Sequence, residues 1–282
     1  HRSGKAYVGI ISKSVLVGKN KTTISQKKAI KMFHTEAKDT MFEELYTLYK
    51  NGTAHPVDIK SLTSSQLKKV IRSFMFITEK KDADGRHIKL KARLVAMGNQ
   101  QHKGELIGDV SSPTISTANM YTVVAIASAE RRSVLTADVT AAFVKAKVPA
   151  GVEILVKLDK INAQILCQIQ EKYKKYLDED GTMIVKLDKA LYGCVQSCRL
   201  WYELLRSTLE EDGFTRNPYE WCCFNKHNKN GHQVTIMFHV DDIFASCVDL
   251  DSLDDVEKML VRAFKDVKVM RGKEHHYLGR KI

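Results

Sequence analysis

Apolar side chains recur along this chain with two different periods, which predicts a mixture of helices and strands. Several segments carry apolar residues three and four positions apart, the spacing that gives a helix one buried face. The predicted helices are 29–50, 117–130, 197–213 and a fourth that starts at the capping pair Ser252 and Asp255 and ends at Phe264. Helices and strands are mixed without strict alternation, so the expected fold class is α+β.

Strand candidates lie between these helices and are rich in β-branched and aromatic residues. They are 70–77 and His87–Ala96, joined by a turn at Asp82–Gly85, then Val134–Ala137, and two strands within Val234–Val248 around a tight turn at Asp241–Asp242. Residues 51–66 contain Gly, Pro and several Ser and Thr, which is typical of a loop.

Composition narrows the class of protein. The 282 residues are 44% hydrophobic, so we expect a globular chain with room for two lobes. No apolar run approaches the roughly 20 residues of a membrane-spanning helix, so no membrane is expected as a partner. With no secretory signal, the six cysteines are expected to be reduced and the protein intracellular, cytoplasmic (including within particles) or nuclear. The formal net charge of +12 indicates a polyanion such as nucleic acid, with a merely soluble basic surface as the alternative.

Two adjacent carboxylates, Asp241 and Asp242, interrupt an apolar hairpin. Aspartate is a poor strand former, so its position there has a cost in stability and indicates a function. A turn at this point would expose both acids at the tip of the hairpin. The alternative is an ordinary acidic turn, which the pair by itself favours.

A third carboxylate, Asp138, closes the apolar strand Val134–Ala137 and is well placed to meet that tip. Oxygen ligands from separate strands are what Mg²⁺ prefers, and two such ions about 4 Å apart drive in-line phosphoryl transfer. One ion would activate a primer 3′-hydroxyl and the other would hold a triphosphate. From the residues alone, this pattern is reasonable for metal chemistry but not specific to it.

Five segments occur in a recognisable order and spacing. They are Lys91–Gly98 (KARLVAMG), Asp138–Phe143 (DVTAAF), Ala190–Tyr202 (ALYGCVQSCRLWY), Phe238–Asp242 (FHVDD) and Tyr277–Gly279 (YLG). Together they resemble the conserved motifs of the reverse transcriptases of copia-type LTR retrotransposons. The resemblance implies the fingers and palm of a right-hand polymerase, the palm being a small antiparallel sheet backed by helices, with the thumb largely absent. The implied regions are a basic, weakly ordered lead-in at 1–28, an N-terminal helical extension at 29–65, fingers at 66–133, and at 134–282 a palm with some fingers contribution, ending at the primer grip.

The same resemblance implies an activity and a metal site. Asp138, Asp241 and Asp242 match the catalytic, metal-binding carboxylates, and the carbonyl of Val139 would be a further ligand. The implied activity is RNA- and DNA-templated DNA polymerisation from dNTPs by two-metal phosphoryl transfer, within a retrotransposon polyprotein. The implied cofactor is Mg²⁺, with Mn²⁺ as an alternative. The implied partners are an RNA template, a DNA primer–template, dNTPs and other parts of the parent polyprotein.

Substrate-binding roles follow from the resemblance in the same way. The implied dNTP-binding residues are Lys91, Arg93, Phe143 and Tyr192. The implied nucleic-acid-binding residues are Gly193, Gln196, His239, Tyr277, Leu278 and Gly279. Alternatives without a binding role stay open: a solvated basic strand for Lys91 and Arg93, and core packing for Phe143 and Tyr277.

Several positions depart from the family pattern. His239 replaces the usual Tyr, Val195 the expected Lys, and Cys198 the expected Pro. The chain starts at His1 and stops at Ile282, so we expect a fragment without a full thumb or an RNase H domain. These departures motivate a second hypothesis, a catalytically silent, reverse-transcriptase-derived module for nucleic-acid binding or assembly.

Overall fold

A computed structural model describes residues 21–82, 84–101 and 110–282 of the chain. Residues 1–20 of the predicted lead-in lie outside the described residues, whereas residues 21–28 form a strand and the first turn of a helix. The helices of the described part are α1 (Gln26–Lys50), α2 (Ser64–Lys69), α3 (Thr117–Ala129), α4 (Lys160–Ile169), α5 (Ser197–Glu211) and α6 (Leu250–Phe264). Its strands are β1 (Lys21–Ser25), β2 (Ala54–Pro56), β3 (Ile71–Lys81), β4 (His87–Ala96), β5 (Ser133–Val139), β6 (Leu155–Leu158), β7 (Met183–Leu187), β8 (Thr215–Arg216), β9 (Cys223–His227), β10 (Gln233–His239), β11 (Asp242–Cys247), β12 (Val267–Arg271), β13 (His276–Tyr277) and β14 (Arg280–Lys281).

The described chain divides into two compact units. The first unit takes the residues up to Val110 together with Lys147–Ser197, and the second takes Ser111–Ala146 and Cys198–Ile282. Each unit has its own sheet with helices, so the α+β class is confirmed. The regions 66–133 and 134–282 were drawn from motifs rather than from contacts, and they stay predictions.

In the first unit, a mixed sheet runs in the order β1-β3-β6-β7-β2, and β4 pairs with β3. The β3–β4 hairpin is the one predicted, and its turn at Asp82–Gly85 is closed by a hydrogen bond from the Gly85 amide to the Asp82 carbonyl at 3.2 Å. Alternation divides its residues between a face that carries buried side chains such as Ile77 and Leu94 and an opposite face that carries Lys91 and Arg93.

Helix α1 covers the outer edge of β4. Side chains four residues apart on α1 accept hydrogen bonds from alternate amides of β4: Leu90 to Glu36 at 3.1 Å, Ala92 to Thr40 at 3.3 Å and Leu94 to Glu44 at 3.1 Å. Four residues of helix rise about 6 Å and two residues of strand about 6.8 Å, so the two spacings match. The helix thereby satisfies an edge that would otherwise invite pairing with another chain.

In the second unit, an antiparallel sheet runs in the order β12-β5-β11-β10-β9-β8. Helices α5 and α6 pack together on one face, where the rings of Trp201 and Phe264 lie 5.1 Å apart. The rings of Tyr202 and Phe238 are 5.9 Å apart on the same side. This layered core holds the sheet rigid at the ends of β5, β10 and β11, where the predicted carboxylates lie.

Predicted element boundaries differ from the structure most clearly at the turn after β10, at the start of α6 and within 51–66. The tight turn lies at Val240–Asp241, so the predicted turn at Asp241–Asp242 is wrong by one residue and Asp242 begins β11. Helix α6 is capped by Asp249, whose side chain accepts from the Asp251 amide at 3.2 Å, so the start predicted at Ser252 is also wrong. The predicted loop 51–66 contains β2 and the start of α2.

Two further findings concern the whole described chain. Among the residues that the structure describes, no helix is long and apolar enough to cross a membrane. All six cysteines are free thiols, and five of them are buried.

Candidate active site

Four side chains form a row across the sheet of the second unit. His239 pairs with Asp242, Asp242 with Asp138, and Asp138 with Lys268. Directly opposed residues of antiparallel strands point to the same face, with Cβ atoms about 5 Å apart. The register of β10, β11, β5 and β12 therefore brings two of the predicted carboxylates together between a histidine and a lysine.

The third carboxylate, Asp241, lies in the two-residue turn between β10 and β11. Its partner in the turn, Val240, has a φ of 59°, a conformation that a β-branched residue rarely adopts. Two contacts hold the turn: the Trp201 indole donates to the Val240 carbonyl at 2.7 Å, and the Val139 amide to the Asp241 carbonyl at 3.4 Å. Strain held in place by surrounding contacts is characteristic of functional sites.

The three carboxylates influence one another electrostatically. The pKa of Asp242 is raised, first because burial disfavours its charged form and then because Asp241 and Asp138 are negative nearby, while His239 opposes the shift. Carboxylates that repel one another at the end of a sheet gain stability when a cation lies between them.

The donor set fits a divalent metal in its chemistry, since all three side chains offer hard oxygen ligands. In the described part of the chain, however, no three His, Cys, Asp or Glu side chains are already arranged to hold a metal ion. Strand register places Asp138 and Asp242 on one face of the sheet, with Asp241 in the adjoining turn, so these three residues would hold the ion.

The segment after Asp138 places the next two predicted residues. Val139 is fully buried, and its amide bonds to the turn, while its carbonyl as a metal ligand stays a prediction. Ala141 has a φ of 54°, and this left-handed residue turns the chain into a short 3-10 helix that carries Phe143. Phe143 is half-buried and packs at the border of the core, so its dNTP-binding role and its packing role stay open.

His239 is half-buried beside the carboxylates. Its Nδ1 atom is buried and has no hydrogen-bond partner among the described residues. A buried nitrogen without a partner costs free energy, which favours a ligand or water that would satisfy it. The predicted contact of His239 with nucleic acid stays a prediction.

The other predicted dNTP-binding residues belong to the first unit. Lys91 is exposed on β4, and the Arg93 guanidinium lies over the Tyr192 ring, 5.4 Å from its centroid. This stacking holds Arg93 in a fixed direction on the face of β4 opposite to the buried side chains. Their assignment to the triphosphate stays a prediction.

Gly193 and Gln196 have packing roles within the first unit. Gly193 has a φ of 89°, and a Cβ atom there would lie 2.1 Å from the Ala96 carbonyl oxygen. Gln196 is buried and accepts a hydrogen bond from the Gln101 side chain at 3.0 Å. The backbone of β4 at Ala96 approaches Gly193 closely, and the predicted contacts of Gly193 and Gln196 with nucleic acid stay predictions.

The Tyr277–Gly279 segment forms a tight hairpin between β13 and β14. Leu278 and Gly279 both have positive φ, as in the turns that close two-residue hairpins. Tyr277 is 2% exposed and its ring lies 5.8 Å from that of Phe244. Burial raises the pKa of Tyr277, and the negative charge of Asp242 raises it further. Tyr277 thus packs in the core of the second unit, and the assignment of Tyr277, Leu278 and Gly279 to nucleic-acid binding stays a prediction.

Lys268 was not among the residues predicted from the sequence. It is exposed, lies in register with Asp138, and forms no ion pair with any described residue. An exposed cation that is in register with Asp138 and has no ion pair in the described part of the chain is available to a phosphate. The alternation of Val267, Lys268 and Val269 indicates a strand with Lys268 outward, but only the pairing of β12 with β5 reveals its neighbour.

Comparisons with known proteins identify the family of this chain. Residues 60–282 match the family described as reverse transcriptase (RNA-dependent DNA polymerase). The retrovirus-related Pol polyprotein from transposon TNT 1-94 of Nicotiana tabacum is 25% identical over 242 residues, which are 86% of this chain and 17% of that protein. The transposon Ty1-NL2 and Ty1-LR2 Gag-Pol polyproteins of Saccharomyces cerevisiae are 25% and 27% identical over 251 residues, 89% of this chain and 12% of theirs.

An α+β unit with paired carboxylates at the ends of adjacent strands defines a candidate metal-dependent enzyme. The family match covers most of the chain, and the chain belongs to the reverse transcriptase family. The resemblance to the copia-type elements is thereby confirmed. The chain spans 17% of the length of the Nicotiana tabacum relative and 12% of the length of the Ty1-NL2 relative, so the activities of those whole proteins are not assigned to it.

Proposed function

We propose that this chain is a polymerase domain that performs RNA- and DNA-templated DNA synthesis from dNTPs. The observation that carries the proposal is the row in which Asp138 and Asp242 face each other beside the turn of Asp241. In this proposal the second unit acts as the palm and the β3–β4 hairpin acts as part of the fingers. The net charge of +12 supports an RNA template and a DNA primer–template as partners.

The three carboxylates have a distinct task in this reaction. Asp138 and Asp242 hold their oxygens on one face of the sheet, and the hydrogen bond from Trp201 to Val240 fixes the position of the turn that carries Asp241. Two bound Mg²⁺ or Mn²⁺ ions would supply activation of the primer 3′-hydroxyl and charge stabilisation for the departing pyrophosphate.

Lys268 supplies positive charge at the other end of the row. Lys268 is exposed, is in register with Asp138 and forms no ion pair with any described residue, so its ammonium group is available to a triphosphate oxygen. His239 lies at the opposite end, in register with Asp242, where the exposed part of its ring contacts the strand that carries the primer terminus. In this proposal, Lys268 and His239 lie on opposite sides of the reacting phosphate.

The test is template-directed primer extension with purified protein and Mg²⁺. Wild-type protein extends the primer, and Asp241→Asn lowers the rate by at least about a hundredfold because a ligand charge is lost. Asp255→Asn is the matched control, since Asp255 is exposed on α6 and, among the described residues, forms an ion pair with Lys258 alone, at 3.5 Å. Equal extension by wild-type protein and Asp241→Asn would contradict a catalytic role for the row.

A second function is favoured by His239, which stands where the family pattern has Tyr and whose Nδ1 is buried without a partner among the described residues. The chain would then be a silent module that binds nucleic acid or assembles with other parts of a polyprotein. Such a module has the same affinity for RNA and DNA in its wild-type form and in Asp138→Asn. Neither form extends a primer. Extension that depends on Asp138 excludes this alternative.

A further inference from the structure

A cavity of about 240 Å³ lies within the second unit, between α3 and the strands β9 and β10. Thr235 lines it and lies four residues before His239 on β10. Residues four apart on a strand share a face, and they are separated by roughly 13 Å. The cavity therefore opens on the face of the sheet that carries the carboxylate row, a few nucleotide lengths away from it.

Side-chain amides dominate the polar lining of this cavity. Asn119 donates to Glu220 at 2.6 Å, and Gln233 donates to Asn225 at 2.8 Å. These bonds leave the carbonyl groups of Asn119 and Gln233 and the amino group of Asn225 without partners in the part of the chain that the structure describes. The cavity thus presents both donors and acceptors, at fixed positions.

The charges of the lining nearly cancel. The Arg132 side chain is 5% exposed and bonds to Glu130 at 2.8 Å and to Thr235 at 3.0 Å. Glu220 is the other charged residue of the lining. A site of this balance gives little attraction to a phosphate, and it suits a neutral group whose edge carries donors and acceptors.

An aromatic ring lies at the rim. Tyr219 lines the cavity although it is 93% exposed, so most of its ring has no protein contact. Exposed aromatic rings near nucleic acid serve as stacking partners for bases, irrespective of sequence. The volume is below the roughly 300–1,000 Å³ of pockets for drug-sized ligands, which limits the occupant to a single ring system.

We propose that this cavity binds one unpaired nucleobase, which stacks on Tyr219 while the amides of Asn119, Asn225 and Gln233 contact its edge. Asn and Gln side chains pair with base edges through the same donor and acceptor groups in other complexes. The base comes either from a free nucleoside or from an unpaired position in a bound strand. Only the strand-borne source rests on the proposed function, since a free nucleoside needs no polymerase activity.

The experiment measures binding without dNTP or Mg²⁺, so that catalysis plays no part. One arm uses the four free ribonucleosides in saturation-transfer NMR, and the other uses primer–template duplexes with and without one bulged adenosine in fluorescence anisotropy. The variants are Tyr219→Ala and Tyr219→Trp. The control is Tyr121→Ala, because Tyr121 is a half-exposed ring on α3 outside the lining.

The expected result is tighter binding of the bulged than of the paired duplex, with Tyr219→Ala weakening the bulged complex about tenfold and Tyr219→Trp restoring it. Nucleoside signals lost in Tyr219→Ala support the site and identify the free base as sufficient, whereas an effect on the bulged duplex alone supports a strand-borne base. The proposal is overturned if Tyr219→Ala binds every ligand like wild-type protein, or if Tyr121→Ala has the same effect. Loss of primer extension in Asp241→Asn with base binding intact leaves this site standing.

Discussion

The close approach of two backbones in the first unit gives the sharpest stability prediction. Gly193→Ala adds a Cβ atom 2.1 Å from the Ala96 carbonyl oxygen and 2.5 Å from a Val95 methyl group, at a φ of 89°. The left-handed conformation alone costs about 1 kcal/mol for alanine. Relief of the overlap requires the two backbones to move apart, which also weakens the Ala96 amide bond to the Tyr192 carbonyl, now 2.8 Å. Overpacking and the lost bond add about 2–3 kcal/mol.

Two other glycines of the same unit separate these contributions. Gly151 has a φ of 83°, and a Cβ atom added there would have nothing within 4 Å, so Gly151→Ala carries the conformational cost alone, about 1 kcal/mol. Gly98 lies outside the left-handed region, but a Cβ atom there would meet the Gly193 carbonyl oxygen at 2.1 Å, so Gly98→Ala carries the contact cost alone. The order of destabilisation is therefore Gly193→Ala, then Gly98→Ala, then Gly151→Ala.

Urea denaturation followed by circular dichroism measures the three free energies of unfolding. Hydrogen exchange of the β3 and β4 amides adds a readout local to the first unit, because the two units need not unfold together. If Gly193→Ala costs no more than Gly151→Ala, the close approach is refuted. If Gly193→Ala folds normally and loses only affinity for nucleic acid, Gly193 contacts nucleic acid, as its motif predicts, and its packing role is refuted.

Two further predictions follow from single side chains. Lys268→Ala raises the KM for dNTP in primer extension about tenfold, with a smaller change in kcat. Lys268→Arg restores the wild-type KM, and Lys258→Ala, at an exposed lysine of α6, leaves the KM unchanged. A wild-type KM in Lys268→Ala would contradict the phosphate contact. The pKa of His87 is raised by its hydrogen bonds to Glu36 and Glu79, so the stability it adds is fully present below its ordinary value of 6.5 and is lost as pH rises through the raised pKa. Urea denaturation between pH 5 and pH 9, on the order of the range in which His titrates, shows this loss in wild-type protein and not in His87→Gln; identical slopes would refute the assignment.

Much of the fold follows from local pattern. The β3–β4 hairpin is predicted because the polar turn at Asp82–Gly85 separates two apolar runs, and helix α5 because its apolar stripe has a helical period. The elements within 151–187 were not predicted. There, β6, α4 and β7 are short, and β7 pairs with both β6 and β2, so their stability comes from partners distant in sequence.

The candidate site shows why local rules fail where function lies. Turn chemistry favours the polar pair Asp241–Asp242, so the sequence places the turn there. The structure instead puts Val240 at a positive φ, against its intrinsic preference, because Trp201 and the Val139 amide hold the turn. This shift by one residue moves Asp242 into β11, opposite Asp138.

Sequence motifs identify candidate functional residues, whereas strand register identifies which residues lie next to one another. Asp138, Asp241 and Asp242 were predicted from motifs that the family match supports. Lys268 belongs to no predicted motif, and its position follows only from the pairing of β12 with β5. Conversely, Tyr277 lies in a motif but is buried in the core, which only tertiary packing could decide.

The central claim is that the carboxylate row supports metal-dependent DNA synthesis on a template. Its most direct test is template-dependent dNTP incorporation by the purified chain, titrated with Mg²⁺ from zero, with Asp241→Asn in parallel. We expect no incorporation without the ion, a saturable rise with Mg²⁺ in wild-type protein, and little or none in Asp241→Asn. Incorporation that is independent of Mg²⁺, or equal in the two proteins, would contradict it.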